Sequence, residues 1–312
     1  MQLPYTYRVT QYDPRDWDAA GRYSGDVAWT SDEGPVEAAH VEAVAWFLEE
    51  LGVTHLEVRD PMSEGLDPDE TPLPPEHPLA VLFGRRLEGY HDGALVDVAG
   101  AQLLVRVMLR RAGAWCRLEA PGAFVHVWYE SVYVGAAGPC PRSLTRALAA
   151  GLDCEEVAAS PNDPAPTDVS PWEDRRAVDP AFWAEVDALL EAYGAVMVEE
   201  WGPWPRWHRL TTGHPRVTLR PRAHVFVWPD LPDGTGAVLA SPPAPERVES
   251  LVWVAADGRA RQRWVEGDSP PDLRTLLAGA TRAAWRGRTN DPPLLEAWLP
   301  DADGVIRTRL DS

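Results

Sequence analysis

The stretch "PVEAAHVEAVAWFLEELGVTHLEVRD", residues 35 to 60, decides the fold class. Val41, Val44 and Leu48 recur at the spacing that places apolar side chains on one side of an α-helix. Pro35 suits the first turn of that helix, because its missing N–H has no helical partner there. The segment "THLEVRD" then shows the alternation of a β-strand. A helix followed directly by a strand is therefore predicted.

The first half of the chain continues this mixture of helices and strands. The segment "YTYRVTQYD" predicts a strand before the helix, and the resulting β-α-β order indicates α/β or α+β architecture. Further along, we predict helices in "DVAGAQLLVRVMLRRAGAW" and "PRSLTRALAAGL", strands in "WCRLEA" and "EEVAASP", and a bent strand or tight strand pair in "FVHVWYESVYVGA".

The second half is predicted to be richer in strands. Helices are expected in "PAFWAEVDALLEAYGA" and "PPDLRTLLAGATRAAWRG", and strands or hairpins in "VMVEEW", "WHRLTT", "RAHVFVWP", "AVLASPP", "VESLVWVAADGRARQRWVE" and "EAWLPDADGVIRTRLD". A chain of 312 residues exceeds the size at which one core keeps growing. We predict an α+β (mixed α/β) protein of two domains, each with a small mixed sheet covered by helices. The boundaries are 1–160 for an acidic N-terminal domain, 161–178 for a linker and 179–312 for a β-richer C-terminal domain.

Composition restricts the partners that the chain can bind. The formal net charge is −19, and all 29 basic residues are arginines. Such a charge disfavours non-specific binding to nucleic acid or to anionic membranes. Three widely spaced cysteines fit a reducing compartment. The N-terminal sequence shows no secretory signal, and no apolar stretch of the sequence is long enough to span a membrane. We expect a cytoplasmic protein without membrane association.

The stretch "WGPWPRWHRLTTGHPRVTLRPRAH", residues 201 to 224, reverses the acidic character of the chain. Arginines between flat aromatic rings can neutralise phosphates and stack on bases, so the stretch is a candidate RNA site. Alternatively, the tryptophans pack in a core and the arginines pair with the first domain, whose residues 1–170 hold 12 Arg against 27 Asp and Glu. The candidate binding residues are Trp204, Arg206, Trp207, Arg209, Arg216, Arg220, Arg222, Trp228 and Tyr129.

Signals for catalysis are weak. Cys140 precedes a predicted helix and lies beside Arg142, a setting that can stabilise a thiolate. His91 and Asp92 could form an acid-base pair, although the Asp92-Gly93 sequence is also typical of a turn. No metal-binding, phosphate-binding or nucleophile motif is present, so we expect no cofactor and no metal. Enzymatic activity has no positive support in the sequence.

Several segments together resemble a family. In order, "YRVTQYDP", "GPVEAAHVEAVAWFLEELGVTHLEVRDP", "GYHDGA", "LVRVMLRRAGAWCRLE", "FVHVWYESVYVG", "PCPRSLTRALAAGL", "RWHRLT", "VWPDL" and "LPDADGVIRTR" are similar to the N-terminal region of actinobacterial (Streptomyces-type) proteins described as RNA-binding. Those proteins carry a C-terminal RNA-binding barrel of the ribosomal S-one type, which is expected to be absent here. The resemblance implies an RNA-associated context but no catalytic residues.

Together these observations predict a non-enzymatic cytoplasmic binding or adaptor protein that acts through a Trp/Arg surface on an unidentified protein partner, in an RNA- or translation-associated setting. Three alternatives stay open. One is direct RNA binding through the local basic patch, and another is a thiol enzyme at Cys140. The last is an acidic inhibitor or immunity-type protein that offers carboxylates such as Glu49, Glu50 and Asp69 to a basic partner.

Overall fold

The computed structural model divides the chain into two compact units. One comprises Met1–Pro171 with Arg309–Ser312, and the other comprises Trp172–Thr308. The structure describes residues 3–16, 23–25, 31–63, 65–66, 68–163, 175–213, 216–286 and 292–307. Most of the predicted linker, from 164 to 174, lies outside the described residues.

A seven-stranded sheet forms the first unit, in the order β3-β2-β4-β5-β6-β1-β7. All of its pairings are antiparallel. Its strands are β1 (Tyr5–Thr10), β2 (His55–Ser63), β3 (Leu95–Asp97), β4 (Ala114–Ala120), β5 (Ala123–Trp128), β6 (Ser131–Ala136) and β7 (Asp153–Glu156).

Helices cover one face of this sheet. They are α1 (Pro35–Leu51), α2 (Pro78–Phe83), α3 (Val98–Leu109) and α4 (Pro141–Ala149), and α1 packs against α3, α4 and the central strands. Val44, Phe47 and Leu48 of α1 are fully buried there. The carboxylate of Asp97 accepts a hydrogen bond from the backbone N–H of Gly100 at 2.8 Å, which caps the start of α3. The apolar side of α1 that the sequence predicts is thus the side that forms this core.

The other face of the first sheet is polar although it is buried. Successive side chains of β5 point to opposite faces of the sheet, so His126 lies on this face while its neighbours Val125 and Val127 lie on the face covered by the helices. Its Nδ1 lies 3.0 Å from Ser160 Oγ, and Arg117 pairs with Glu119 at 3.1 Å on the adjacent strand. Burial, aided by the positive charge of Arg117, lowers the pKa of His126 to about 3. His126 is therefore neutral in the folded protein.

Two smaller sheets form the second unit. The four-stranded sheet has the order β14-β10-β8-β9, and the three-stranded sheet has the order β12-β11-β13. The strands are β8 (Ala195–Trp201), β9 (Arg206–Thr211), β10 (His224–Pro229), β11 (Val248–Val254), β12 (Ala260–Glu266), β13 (Arg282–Arg286) and β14 (Leu295–Trp298). The helices are α5 (Pro180–Tyr193), α6 (Gly236–Ala240) and α7 (Leu273–Leu276).

Both faces of the four-stranded sheet carry apolar packing. Helix α5 buries Phe182 and Val186 against one face, where Val196 and Val225 also lie. On the opposite face, Trp207 packs in a cluster with residues of β11 in the three-stranded sheet. The three-stranded sheet thus covers part of that opposite face.

The predicted α+β class is confirmed, with four corrections of detail. The expectation of mixed sheets is wrong, because every pairing between the named strands is antiparallel. The strand expected in "AVLASPP" is instead helix α6, since a short apolar run fits either element. The long helix expected in "PPDLRTLLAGATRAAWRG" is only α7, because Gly279 adopts a left-handed φ of 77° and the residues after it pair with β11 as β13. Helix α2 lies in a proline-rich region where no helix was predicted.

Candidate functional site

The arginines of the 201–224 stretch are engaged by acids of their own unit. Their carboxylate partners lie in the second unit, so the expectation that these arginines pair with the acidic first domain is wrong for the pairs described. The pairs are Arg209 with Asp230 at 2.8 Å, Arg222 with Asp301 at 3.0 Å, Arg216 with Asp187 at 3.7 Å, Arg206 with Glu200 at 4.0 Å, and Arg220 with Glu200. Phosphate binding would have to compete with these contacts.

Glu200 is the centre of the most buried of these arrangements. Its carboxylate accepts hydrogen bonds from the backbone and side chain of Arg220, and His208 Nε2 lies 3.1 Å away. Burial alone would raise the pKa of Glu200, but these contacts outweigh it and lower the pKa to about 2. Glu200 and Arg220 therefore form a charged pair inside the unit.

Trp204 and Trp207 are buried, which differs from the surface role predicted for them. Trp204 is 7 % exposed, and the guanidinium of Arg220 lies 4.6 Å from its ring centre. Trp207 is 5 % exposed, and its indole N–H donates to Gln262 Oε1. In the sequence, tryptophans next to arginines resemble a surface on which nucleic-acid bases stack. In the structure, Trp204 and Trp207 belong to the core.

A different group of side chains forms a partly exposed surface on the same sheet. His224, Phe226 and Trp228 alternate along β10, so they lie on the face opposite α5. Cross-strand register places Glu199 of β8 and Glu296 of β14 directly beside Phe226, one on each side. We call this surface the acidic aromatic face; it comprises Glu199, Trp201, His224, Phe226, Trp228, Glu296 and Trp298.

Glu199 is held by two indoles. Trp201 Nε1 donates to its Oε1 at 2.6 Å, and Trp228 Nε1 donates to its Oε2 at 2.8 Å. Burial raises the pKa of Glu199, while the two indole hydrogen bonds and the charge of Arg286 oppose that shift. The carboxylate therefore orients two tryptophans of the acidic aromatic face.

Aromatic rings continue from Glu199 across Phe226 to the edge strand. The Trp201 ring is nearly perpendicular to Phe226, at 6.3 Å between centres, and Trp201 is 40 % exposed. His224 lies 4.0 Å from Phe226 and stacks on Trp298 at 4.0 Å. His224 Nε2 also lies 2.8 Å from Glu296 Oε1. A cation that reaches this face meets both π-electron density and carboxylates.

One cation already lies on this face. The guanidinium carbon of Arg286 is 3.8 Å from the centre of the Trp228 ring and 5.5 Å from that of Trp207. Its charge acts on the nearby Glu199 carboxylate. The chain itself thus combines a guanidinium, a tryptophan face and a glutamate.

Tyr129 belongs to the first unit, at the turn between β5 and β6. It is 56 % exposed and adopts a left-handed φ of 49°, which is unusual for an aromatic residue. Arg111 lies 5.4 Å from its ring centre and pairs with Glu130 at 2.9 Å. Of the nine predicted binding residues, only Tyr129 lies in the first unit.

Two of the candidate catalytic residues, Cys140 and Asp92, are buried. Cys140 is buried, and burial together with the charge of Glu50 raises the pKa of its thiol to about 11. The expected thiolate stabilisation is therefore wrong: Glu50 accepts hydrogen bonds from the first turn of α4, including 2.7 Å from the Ser143 N–H, so a negative charge already occupies that position. Asp92 is 7 % exposed and accepts hydrogen bonds from Arg59 and the Asp60 N–H.

Two of the acids suggested for a basic partner, Glu49 and Glu50, use their carboxylates in local contacts. Glu49 pairs with Arg146 at 2.9 Å, and Glu50 bonds to Ser143 and Arg142. Asp69 offers its backbone carbonyl to Arg86 Nη1 at 2.9 Å. These three acids do not form a distinct site of their own in the described contacts.

Sequence reasoning missed most of the acidic aromatic face. Of its seven residues, only Trp228 was among the predicted site residues; the others are Glu199, Trp201, His224, Phe226, Glu296 and Trp298. The alternation in "HVFVWP" and "VMVEEW" could have assigned side chains to a face. It could not show which acid lies beside which ring, because that depends on the register of β14, β10 and β8.

Comparisons with protein-family models, curated proteins and solved structures give no match. The resemblance to actinobacterial RNA-binding proteins therefore remains a prediction. Within the described ranges, no three His, Cys, Asp or Glu side chains are placed together to hold a metal ion. None of the helices described is long and apolar enough to cross a membrane.

Proposed function

We propose that this protein is a non-enzymatic, cytoplasmic binding protein that captures a basic protein partner through the acidic aromatic face. The observation that carries the proposal is the cross-strand row in which Glu199 and Glu296 flank Phe226. This row lies among partly exposed aromatic side chains, including Trp201. Aromatic residues are the residue type that most often dominates interface energetics.

Charge supports a basic partner. The face exposes the Glu296 carboxylate and holds that of Glu199 just beneath it, and the chain as a whole carries a formal net charge of −19. Such a field speeds the approach of a basic protein and slows that of an anionic one. The proposal joins the predicted adaptor role with the predicted affinity for a basic partner. It moves the contact surface from the buried Trp204 and Trp207 to a face on which Trp201 is exposed.

Direct RNA binding is supported less well. The arginines of the 201–224 stretch contact Glu200, Asp230, Asp301 and Asp187, so binding phosphate would disrupt ion pairs. Phosphates would also approach the carboxylates of Glu199 and Glu296 if bases stacked on the acidic aromatic face. An RNA-associated setting then requires a protein partner that itself binds RNA.

The experiment compares defined probes on the immobilised full chain. The probes are an arginine-rich peptide, a glutamate-rich peptide of equal length and a single-stranded RNA, each titrated at low and moderate salt. We expect the basic peptide alone to be retained. The variant Trp201→Ala removes an exposed ring without changing charge, and Trp264→Ala is its matched control, because Trp264 is 57 % exposed on β12.

The outcomes separate specific from general attraction. Weakened retention in Trp201→Ala but not in Trp264→Ala supports the acidic aromatic face. Equal retention by both variants would mean that the peptide responds only to net charge, and the proposal would be wrong. Retention of RNA in preference to the peptide would favour direct RNA binding instead.

A further inference from the structure

We propose that the acidic aromatic face selects arginine over lysine, with a partner guanidinium stacked on Phe226 and paired with Glu296. The inference rests on the proposed function and names the side chain that the face recognises. It uses the cross-strand pair of Phe226 and Glu296, next to Trp228, over whose ring Arg286 of the chain itself lies.

Phe226 is the centre of the proposed site. Its ring lies 6.3 Å from Trp201 at 76° and 4.0 Å from His224. The Phe226 ring thus provides a flat surface, and the nearly perpendicular Trp201 ring borders it on one side. A planar guanidinium can lie flat on such a platform, whereas the compact ammonium of lysine keeps its hydration more strongly.

Glu296 supplies the charge. Its side chain is 37 % exposed, and it lies directly opposite Phe226 in the strand pairing. His224 Nε2 contacts Oε1 at 2.8 Å, which fixes the carboxylate and leaves lone pairs on Oε2 for an incoming N–H. A guanidinium presents several N–H donors in one plane, so it can stack and donate at the same time.

Arg286 shows that a guanidinium can stack on an aromatic ring of this face, with the Glu199 carboxylate close enough for its charge to be felt. Its guanidinium lies 3.8 Å from the Trp228 ring centre, and Trp228 donates its indole N–H to Glu199. Phe226 is the next aromatic residue along the same face, 6.1 Å from Trp228. The pattern of ring plus glutamate thus occurs twice on this face, once around Trp228 with a guanidinium of the chain in place and once around Phe226.

The test measures peptide preference on the full chain. Nona-arginine and nona-lysine have equal length and charge, so their affinity ratio isolates the side-chain chemistry from net charge. We expect nona-arginine to bind about tenfold more tightly, a difference within the range expected for stacking and paired hydrogen bonds. Phe226→Leu and Glu296→Gln should each bring the ratio close to one, while Glu191→Gln on the exposed side of α5 should leave it unchanged.

Each outcome decides the inference. Equal binding of both peptides by the unaltered chain would contradict arginine selection while leaving the basic-partner proposal intact. Binding of neither peptide would contradict both proposals. Because Phe226→Leu could disturb the sheet, Glu296→Gln provides the second variant at a partly exposed position. An unchanged preference in a folded Glu296→Gln protein would show that Glu296 is not the pairing residue and would overturn the assignment.

Discussion

Arg220 and Glu200 form an ion pair in the interior of the second unit. The Glu200 side chain is fully buried and that of Arg220 is 5 % exposed. Arg220 also donates to the backbone carbonyl of Trp204 at 2.7 Å and lies over the Trp204 ring. A stretch that resembles a nucleic-acid site in sequence is thus largely an internal network, and this difference has measurable consequences.

Removing Arg220 should destabilise the second unit strongly. Arg220→Ala leaves the buried Glu200 carboxylate without its main cationic partner, and such a change typically costs ~3–5 kcal/mol of unfolding free energy. Urea denaturation measures the loss. The control is Arg216→Ala, because Arg216 and Asp187 are exposed and 3.7 Å apart, and surface pairs contribute about 0–1 kcal/mol. Similar losses in the two variants would contradict the internal role of Arg220.

Acidification should destabilise the first unit through His126. Folding lowers the pKa of His126 from 6.5 to about 3. Between these two pH values the unfolded chain therefore binds a proton at His126 that the folded chain does not bind. The stability is therefore fully present above about pH 6.5 and falls as the pH decreases towards 3, by up to ~1.4 kcal/mol per pH unit. Unfolding measured between about pH 6.5 and 5, where most carboxylates remain ionised, checks this slope.

The variant His126→Gln isolates that effect. Glutamine does not titrate, so the pH slope in this window should become shallower even if the variant is less stable at neutral pH. The groups nearest His126 are Arg117, Glu119, Ser160 and Asp163, and all four are retained in the variant. His40, whose pKa burial also lowers, should supply the remaining slope. An identical slope in His126→Gln would show that His126 is not the titrating group.

Gly135 should tolerate no side chain. It lies opposite Phe124 in the β5–β6 pairing, and a Cβ at position 135 would overlap the Phe124 ring. Gly135→Ala should therefore cost about 1–3 kcal/mol by forcing the buried ring to move. Gly138→Ala is the matched control, since a Cβ there meets no atom within 4 Å. Equal melting temperatures for the two variants would contradict the close approach of Phe124.

Cys140 should be unreactive in the folded protein. Burial and Glu50 raise the pKa of its thiol to about 11, so almost no thiolate exists at neutral pH. Iodoacetamide labelling followed by mass spectrometry should modify Cys140 only after denaturation. Rapid alkylation of the native protein near neutral pH would instead restore the thiol-enzyme hypothesis.

Local patterns in the sequence predict much of the secondary structure but little of the candidate site. The apolar spacing of α1 and α5 depends on residues three and four apart, so it can be recognised without tertiary information. Helix α6 and the short extent of α7 could not be recognised, because a few apolar residues fit more than one element and tertiary packing decides between them.

The acidic aromatic face depends on residues that are distant in sequence. Glu199 and Glu296 meet Phe226 from two different strands, and the pairing register alone aligns them. Clustering of Trp and Arg in the sequence draws attention to Trp204 and Trp207 instead. The structure reverses that interpretation, because Trp204 and Trp207 are buried. The acids that pair with the arginines lie outside the stretch in sequence, at Glu200, Asp230 and Asp301.

On the proposed function, exposed Trp201 binds a partner whereas buried Trp207 stabilises the fold. The most direct measurement determines, for Trp201→Ala and Trp207→Ala alike, both the melting temperature and the dissociation constant for nona-arginine. We predict that Trp201→Ala weakens binding several-fold and lowers the melting temperature only modestly, through the lost hydrogen bond to Glu199. Trp207→Ala should lower the melting temperature more, since replacing a buried tryptophan costs ~3–5 kcal/mol. Unchanged binding in Trp201→Ala, with the fold intact, would contradict the claim.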